Sequence, residues 1–172
     1  MTETAAPITI EDLPSDSLEE IREIWLELHE HHISTDPTRA AVARPRTAEQ
    51  AWRFRRPAME RWLREPGAFA LVARDAAAPV GFAVATVKDA PGTWDVGDRI
   101  GVLEVLAIAA GRRRQGVGGM LTSEVSRRLA ADGISMMQIE VLATNEEASR
   151  FYERMGAAES SRLYWLLTKD DD

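Results

Sequence analysis

No cysteine occurs among the 172 residues. Its absence excludes a disulfide scaffold, a thiolate zinc site and a cysteine nucleophile. No apolar run approaches the roughly 20 residues needed to span a bilayer. No basic segment opens the chain: Met1 to Pro7 carries Glu3, so a secretory leader is not expected and the expected compartment is the cytoplasm. Positive charge is also scarce. Lys plus Arg number 21 against 28 Asp plus Glu, a formal net charge of −7. Such a chain is a poor general binder of nucleic acid, because phosphate contacts need a basic field. Internal repeats and low-complexity linkers are absent as well.

What is present reads as one folded unit over residues 1–172. Apolar residues make up 45% and charged residues 28%, a globular balance at single-domain length. Ile8 to Ile10 is a short strand. Leu18, Ile21, Ile24, Trp25 and Leu28 recur at helical spacing, with Ser15, Asp16 and Ser17 as candidate caps. Asp36-Pro37 ends or follows that helix. Thr47 and Gln50 have capping-box spacing and open a second helix, which Pro57 restarts. After Pro66-Gly67 the period changes to that of strands. Phe69 to Ala73 and Val80 to Val87 form a hairpin, and Lys88 to Asp98 is a loop. Ile100 to Ile108 is a third, central strand. In an ideal strand its residues Val102, Glu104, Leu106 and Ile108 share a face. Val117, Leu121, Val125 and Leu129 lie on one helix face, stopped by Asp132-Gly133. Met136 to Leu142 is a strand, Ala148 to Met155 a helix ended by Gly156, and Arg162 to Thr168 a terminal strand. The order β-αα-βββ-α-β-α-β is that of a mixed α/β domain.

The densest chemical signal is Arg112-Arg113-Arg114-Gln115-Gly116-Val117-Gly118-Gly119. It joins a buried strand to an amphipathic helix. Glycines there admit a ligand close to the backbone, and the helix start offers free N–H groups and positive dipole charge. Together these suit an anion such as phosphate. The dinucleotide fingerprint is excluded, since Leu121 stands where its third small residue belongs. A Walker loop counted from Gly111 is excluded too, since Val117 and Gly118 replace its Lys and Ser/Thr. The bland alternative is a structural turn beside a solvated arginine cluster.

Arg113-Arg114-Gln115-Gly116-Val117-Gly118 resembles the Arg/Gln-x-x-Gly-x-Gly/Ala signature of the GNAT (Gcn5-related N-acetyltransferase) superfamily. Leu103 to Ile108 resembles that family's fourth strand. Asn145-Glu146-Glu147-Ala148 with Phe151-Tyr152-Glu153-Arg154-Met155-Gly156-Ala157 resembles its second motif, with Ala157 in place of the usual Phe. The resemblance runs from about Phe69 to the C-terminus, while the first 66 residues match only as two generic helices. It implies a GNAT fold: a central mixed, mostly antiparallel sheet flanked by about four helices and splayed between the fourth and fifth strands. Residues 1–66 would then supply acceptor-side helices and 68–168 an acetyl-CoA-binding core.

The resemblance also implies roles. Acetyl-CoA would be the co-substrate, and no metal is implied. The turn Arg113, Arg114, Gln115, Gly116, Val117, Gly118 and Gly119 would hold its diphosphate. Leu106, Ala107 and Ile108 would pair with its amide arm as an added strand. Asn145 would touch that arm, cap the next helix, or both. Tyr152 stands where the family places its general acid, the alternative being a core tyrosine whose hydroxyl finds a partner. Glu104 is a carboxylate on an apolar strand, so it lines a wet cleft or pairs with a cation. Polyamine-type members carry a catalytic Glu at that position. Glu140, with Val141 and Asn145, resembles the ribosomal-protein N-terminal acetyltransferases, where that Glu is the base. Structural ion pairs are the alternative for both, and Glu104 is placed ahead of Glu140.

Acetyl transfer to an amine by direct attack in a ternary complex is the implied activity. The missing cysteine fits it by removing one ping-pong route. The acceptor would be a primary amine of a small molecule or peptide, and the acidic balance favours a cationic one. A non-catalytic acyl-CoA sensor and an aminoacyl-tRNA-acetylating toxin are alternatives, the second disfavoured by the lack of a basic face. A homodimer would be in keeping with the family. His29, His31 and His32 lack carboxylate spacing for a metal and are expected as solvated residues at a helix end, with a substrate contact left open. Trp25, Trp52 and Trp62 are expected in the core or a cleft wall.

Overall fold

The computed structural model describes residues 7–166. Its sheet has five strands in the order β1 (Thr9–Asp12), β2 (Phe69–Asp75), β3 (Ala78–Asp89), β4 (Arg99–Ile108) and β5 (Met137–Ile139). The first four run antiparallel, and β5 lies parallel to β4. This is the mixed, mostly antiparallel sheet of the GNAT fold. Two apolar layers enclose it. Helices α1 (Arg22–Thr35) and α3 (Ala48–Trp62) cover one face around Ile21, Trp25, Met59, Phe82 and Val84. Helix α4 (Val117–Ala131) covers the other through Val117, Leu121, Val125 and Leu129, the stripe at spacings of four.

The segment before β2 differs from expectation in its details. Ser15, Asp16 and Ser17 cap nothing. The chain passes from Pro14 through a 3-10 stretch, Ser15–Ile21, straight into α1 without a side-chain cap. Asp36-Pro37 starts a short further helix, α2 (Pro37–Val42), because Pro37 suits a first turn and Asp36 accepts from Arg39 N at 2.9 Å. Among the described residues the α-helices number five, in keeping with the about four expected. At α3 the capping box forms in both directions, Thr47 Oγ1 with Gln50 N at 3.3 Å and Gln50 Oε1 with Thr47 N at 3.2 Å. Pro57 does not restart the helix. It sits exposed inside a continuous α3, where the break in the ladder faces water.

The second half is nearer to expectation. The hairpin, β4, α4 and helix α5 (Glu146–Arg154) all form. The strand expected over Met136 to Leu142 contracts to the three residues of β5. The terminal strand is not formed over Arg162 to Leu166, and Leu163 to Leu166 stand exposed; Thr168 lies outside the described residues.

Two irregularities of β4 position the site. Along β3, Val84 faces Val105 but Ala85 faces Leu103, so Glu104 has no cross-strand partner and forms a β-bulge. The bulge reverses the alternation. Leu103, Leu106 and Ile108 join the α4 layer, while Val105 and Ala107 join the α1–α3 layer. The shared face expected for Val102, Glu104, Leu106 and Ile108 is therefore corrected: Glu104 turns towards Thr86 and Lys88, away from Leu106 and Ile108. The second irregularity is the splay. β5 pairs only with Gly101, Val102 and Leu103, so β4 runs on to Ile108 with that edge unpaired. Ala109 N donates to Val80 O at 3.0 Å, which by alternation points the main-chain groups of Leu106 and Ile108 at the open edge. Ala107 between them turns its main-chain groups to β3 and its methyl into the core, and offers nothing to that edge.

Candidate active site

Where the bulge opens the sheet, a cleft of about 660 Å³ runs between the helical layer and the β4–β5 end of the sheet. Glu104, Glu140, Leu106 and Tyr152 all line it, so the three expected catalytic side chains share one cavity. Glu104 Oε1 accepts from Thr86 Oγ1 at 2.8 Å and from Lys88 Nζ at 2.7 Å. Its side chain is only 14% exposed, and Oε2 keeps no partner among the described residues. The carboxylate thus combines both expected arrangements, pairing with a cation through one oxygen and lining the cleft. Glu140 follows β5 directly, is exposed, and makes no side-chain hydrogen bond or ion pair among the described residues. Tyr152 projects from α5. Its ring meets Phe151 edge-on at 4.9 Å, and burial pushes the phenol up to about 12. The hydroxyl has no hydrogen-bond partner among the described residues, unlike that of a satisfied core tyrosine.

The glycine-rich turn lies past the end of β4. Arg114 and Gly116 take left-handed backbone angles, with φ of 62° and 85°. The turn delivers the chain to α4, where Met120 N donates back to Gly116 O at 3.0 Å. The main-chain N–H groups from Arg114 to Gly119 donate to no main-chain acceptor among the described residues. Six free donors at the positive end of a helix suit an anion. The side chains hold the turn rather than fill it. Arg112 pairs with Asp75, Arg113 Nε donates to Ile108 O at 3.3 Å, and Gln115 Nε2 donates to Gly111 O at 3.1 Å. Gly118 faces α5: a Cβ there would lie 3.5 Å from Phe151 and 3.8 Å from Ile108. Asn145 caps α5 through Ala148 N at 3.1 Å, leaving its amide NH2 unused. No group of three or more histidine, aspartate or glutamate side chains among the described residues is arranged to hold a metal.

The helical wall contains residues that sequence reasoning underrated. His29 stacks on Trp25 at 5.3 Å with planes 10° apart, and its Nε2 lies 3.1 Å from Arg46 O. His32 is pushed down to about 4, first by burial and then by His31, Arg39, His29 and Arg55. Both line the cleft, which corrects the expectation of solvated helix-end histidines. The spacing Trp25, His29, His32 was the available signal, since it continues the inward face of α1. Trp25 and Trp52 are buried and packed 5.4 Å apart, as expected for core aromatics. Arg55 also lines the cleft, with its guanidinium 5.4 Å from the Trp62 ring centroid.

Relatives share this architecture. A variant of the BH1408 protein from Bacillus halodurans superposes with a TM-score of 0.73 at 16% identity, covering 94% of this chain and 99% of that one. A GCN5-related N-acetyltransferase from Ralstonia eutropha JMP134 gives 0.72 at 19%, covering 94% and 99%. AAC(6')-Iy, in complex with the bisubstrate analogue CoA-S-monomethyl-acetylneamine, gives 0.67 at 17%, covering 96% and 100%. No curated protein matches the chain. At these identities the solved structures speak for the fold. The sequence profile of the Acetyltransferase (GNAT) family aligns over residues 18–157, taking in both α1 to α3 and the glycine-rich turn, and the chain belongs to that family.

Proposed function

We propose that this chain is an N-acetyltransferase that uses acetyl-CoA as co-substrate and acetylates a primary amine of a small molecule or peptide. The transfer is direct, within a ternary complex. The observation that carries this reading is the convergence of Glu104, Glu140 and Tyr152 on one cleft beside the unpaired edge of β4. The coenzyme fits the residues present. The free N–H groups from Arg114 to Gly119 suit its diphosphate, with Arg113 opening the same turn, and the open edge at Leu106 and Ile108 suits its amide arm. The unused amide of Asn145 is a further contact for that arm. Bound acetyl-CoA supplies an activated thioester.

The protein's own residues then manage two protons and one orientation. Glu104 takes the proton from the incoming ammonium through Oε2, directly or across one water, while Lys88 and Thr86 hold Oε1 still. Glu140 is the second candidate for that task. Tyr152 stays a neutral phenol at working pH, because burial holds it at about 12, and it protonates the departing sulfur. The test is acetyl-CoA turnover, followed by free-thiol release, over amines, amino acids, aminoglycosides and N-terminal peptides. Turnover with an amine is expected. Tight acetyl-CoA binding without turnover on any arm would favour a non-catalytic sensor, and turnover only on an added aminoacyl-tRNA arm would favour the toxin reading.

A further inference from the structure

The cleft that receives the acceptor has a charge balance opposite to that of the whole chain. The chain carries −7, which from sequence favours a cationic acceptor. The cleft lining instead holds Arg39, Arg44, Arg46 and Arg55 against Asp36, Glu104 and Glu140. Two of those acids are already engaged. Asp36 Oδ2 lies 3.2 Å from Arg39 Nε, an ion pair at an angle poor for a hydrogen bond, and Glu104 is paired with Lys88 outside the lining. Three arginines then face one uncommitted carboxylate, Glu140.

Arg55 is the most pointed of the three. It rises from the middle of α3, half-buried, over the ring of Trp62. It has no carboxylate within ion-pair distance among the described residues. A guanidinium never sheds its charge in a protein, so burial without a counter-ion is unfavourable until an anion arrives. Burial lowers its pKa, and among the described residues the charge of Glu104 offsets this. The same field is felt by His32, which is held neutral partly by Arg39 and Arg55. A flat guanidinium fixed on an aromatic face offers a fork to carboxylate or phosphate oxygens.

We infer that the acceptor amine also carries an anionic group, a carboxylate or a phosphate ester, and that Arg55 binds it while the amine turns to Glu104. This deepens, and rests on, the acetyltransferase reading. It separates the chain from acceptors that are purely polycationic, which need the reverse lining.

The experiment uses matched acceptors that differ only in the anion: β-alanine against propylamine, and 2-aminoethyl phosphate against ethanolamine, with an aminoglycoside as the polycationic arm. Wild-type kcat/KM should favour the anionic member of at least one pair by about tenfold or more, and the pair that shows it tells carboxylate from phosphate. Arg55→Met should collapse that ratio towards one, Arg55→Lys should keep part of it, and Arg53→Met, outside the cleft, should keep all of it. An unchanged ratio in Arg55→Met, or a better rate with the aminoglycoside or the anion-free amines, overturns the inference. If no amine is acetylated although acetyl-CoA binds, the transferase reading fails by itself. Calorimetry of β-alanine and 2-aminoethyl phosphate then decides the anion site: binding that Arg55→Met abolishes supports it, and no binding to the wild type overturns it.

Discussion

On the proposed reading, the two sides of the cleft would recognise their ligands by different means. The proposed coenzyme side, from β4 through the turn into α4, offers main-chain groups: free N–H donors from Arg114 to Gly119 and the open edge at Leu106 and Ile108. The proposed acceptor side offers side chains: Arg55 on its tryptophan, His29 on Trp25, and Glu104 pinned by Lys88 and Thr86. Main-chain recognition constrains which residues are tolerated, chiefly by requiring no side chain. Side-chain recognition allows many solutions on one scaffold. The first kind is shared within a fold and the second sets the substrate.

The largest effect should come from adding bulk to the main-chain side. Gly118→Val is expected to abolish measurable acetyl-CoA binding in calorimetry. A Cβ at Gly118 fits at ordinary contact distance from Phe151 and Ile108, so the fold survives. The two further methyls must crowd Phe151 or lie over the free N–H groups at the start of α4. A folded variant with unchanged affinity would mean that this turn is not the anion site, and the contrast between the two sides would collapse.

That asymmetry also explains what was readable in the sequence. The turn and the Asn145–Gly156 segment announced themselves because helix starts, caps and close backbone approach accept few residue types. Gly133 and Gly156 end their helices at positive φ, 76° and 92°, as their positions implied. The acceptor side gave no such signal. The bulge at Glu104 is one extra residue in an apolar strand, and strict alternation grouped that carboxylate with Leu106 and Ile108, which the bulge turns to the α4 layer. Lys88 looked like the start of a loop, yet it lies within β3, one residue before its end, and its ammonium pairs with the Glu104 carboxylate. Arg55 is one of several arginines on α3 that no motif marks, and only the fold brings it into the cleft lining.

Next in size is the general base. Glu104→Gln keeps the shape and the contact with Thr86 but removes proton acceptance. The rate near neutrality should fall by about 10²- to 10³-fold, and the acidic limb of kcat/KM should move up towards the pKa of the amine. Glu140→Gln should cost less and keep the limb. The reverse result would make Glu140, the exposed carboxylate after β5, the base. A limb that moves in neither variant would mean the amine arrives deprotonated.

Tyr152→Phe removes one hydroxyl at little change in volume, and kcat should fall by about 10²-fold with the KM for acetyl-CoA nearly constant. Because the phenol is held at about 12, no alkaline limb from this residue should appear below that range. Wild-type turnover in the variant would show that water protonates the leaving sulfur.

The smallest effect is on stability, and it separates the two sides by pH. His32, in the acceptor wall, is held at about 4 by burial and by the neighbouring cations. The unfolded chain takes up that proton near 6.5, so the folded state binds fewer protons between those values and stability falls as pH falls through the window. Since His32 is only partly buried, the loss should be about 1–2 kcal/mol after solvent screening, or about 2–4 °C in Tm for each kcal/mol. On α4 the responsive group is Glu124, held at about 2 first by Arg127 and then by Arg128. Its contribution is present above the ordinary carboxylate range and is lost only as pH drops from there towards 2. Thermal melts from pH 7 to pH 4.5 should therefore report the acceptor wall and leave α4 silent. His32→Gln should flatten that limb, whereas Glu124→Gln should lower Tm at every pH in this range and leave its slope alone. If His32→Gln melts with the wild-type slope, the histidine is solvated after all, and the acid response belongs to carboxylates elsewhere in the chain.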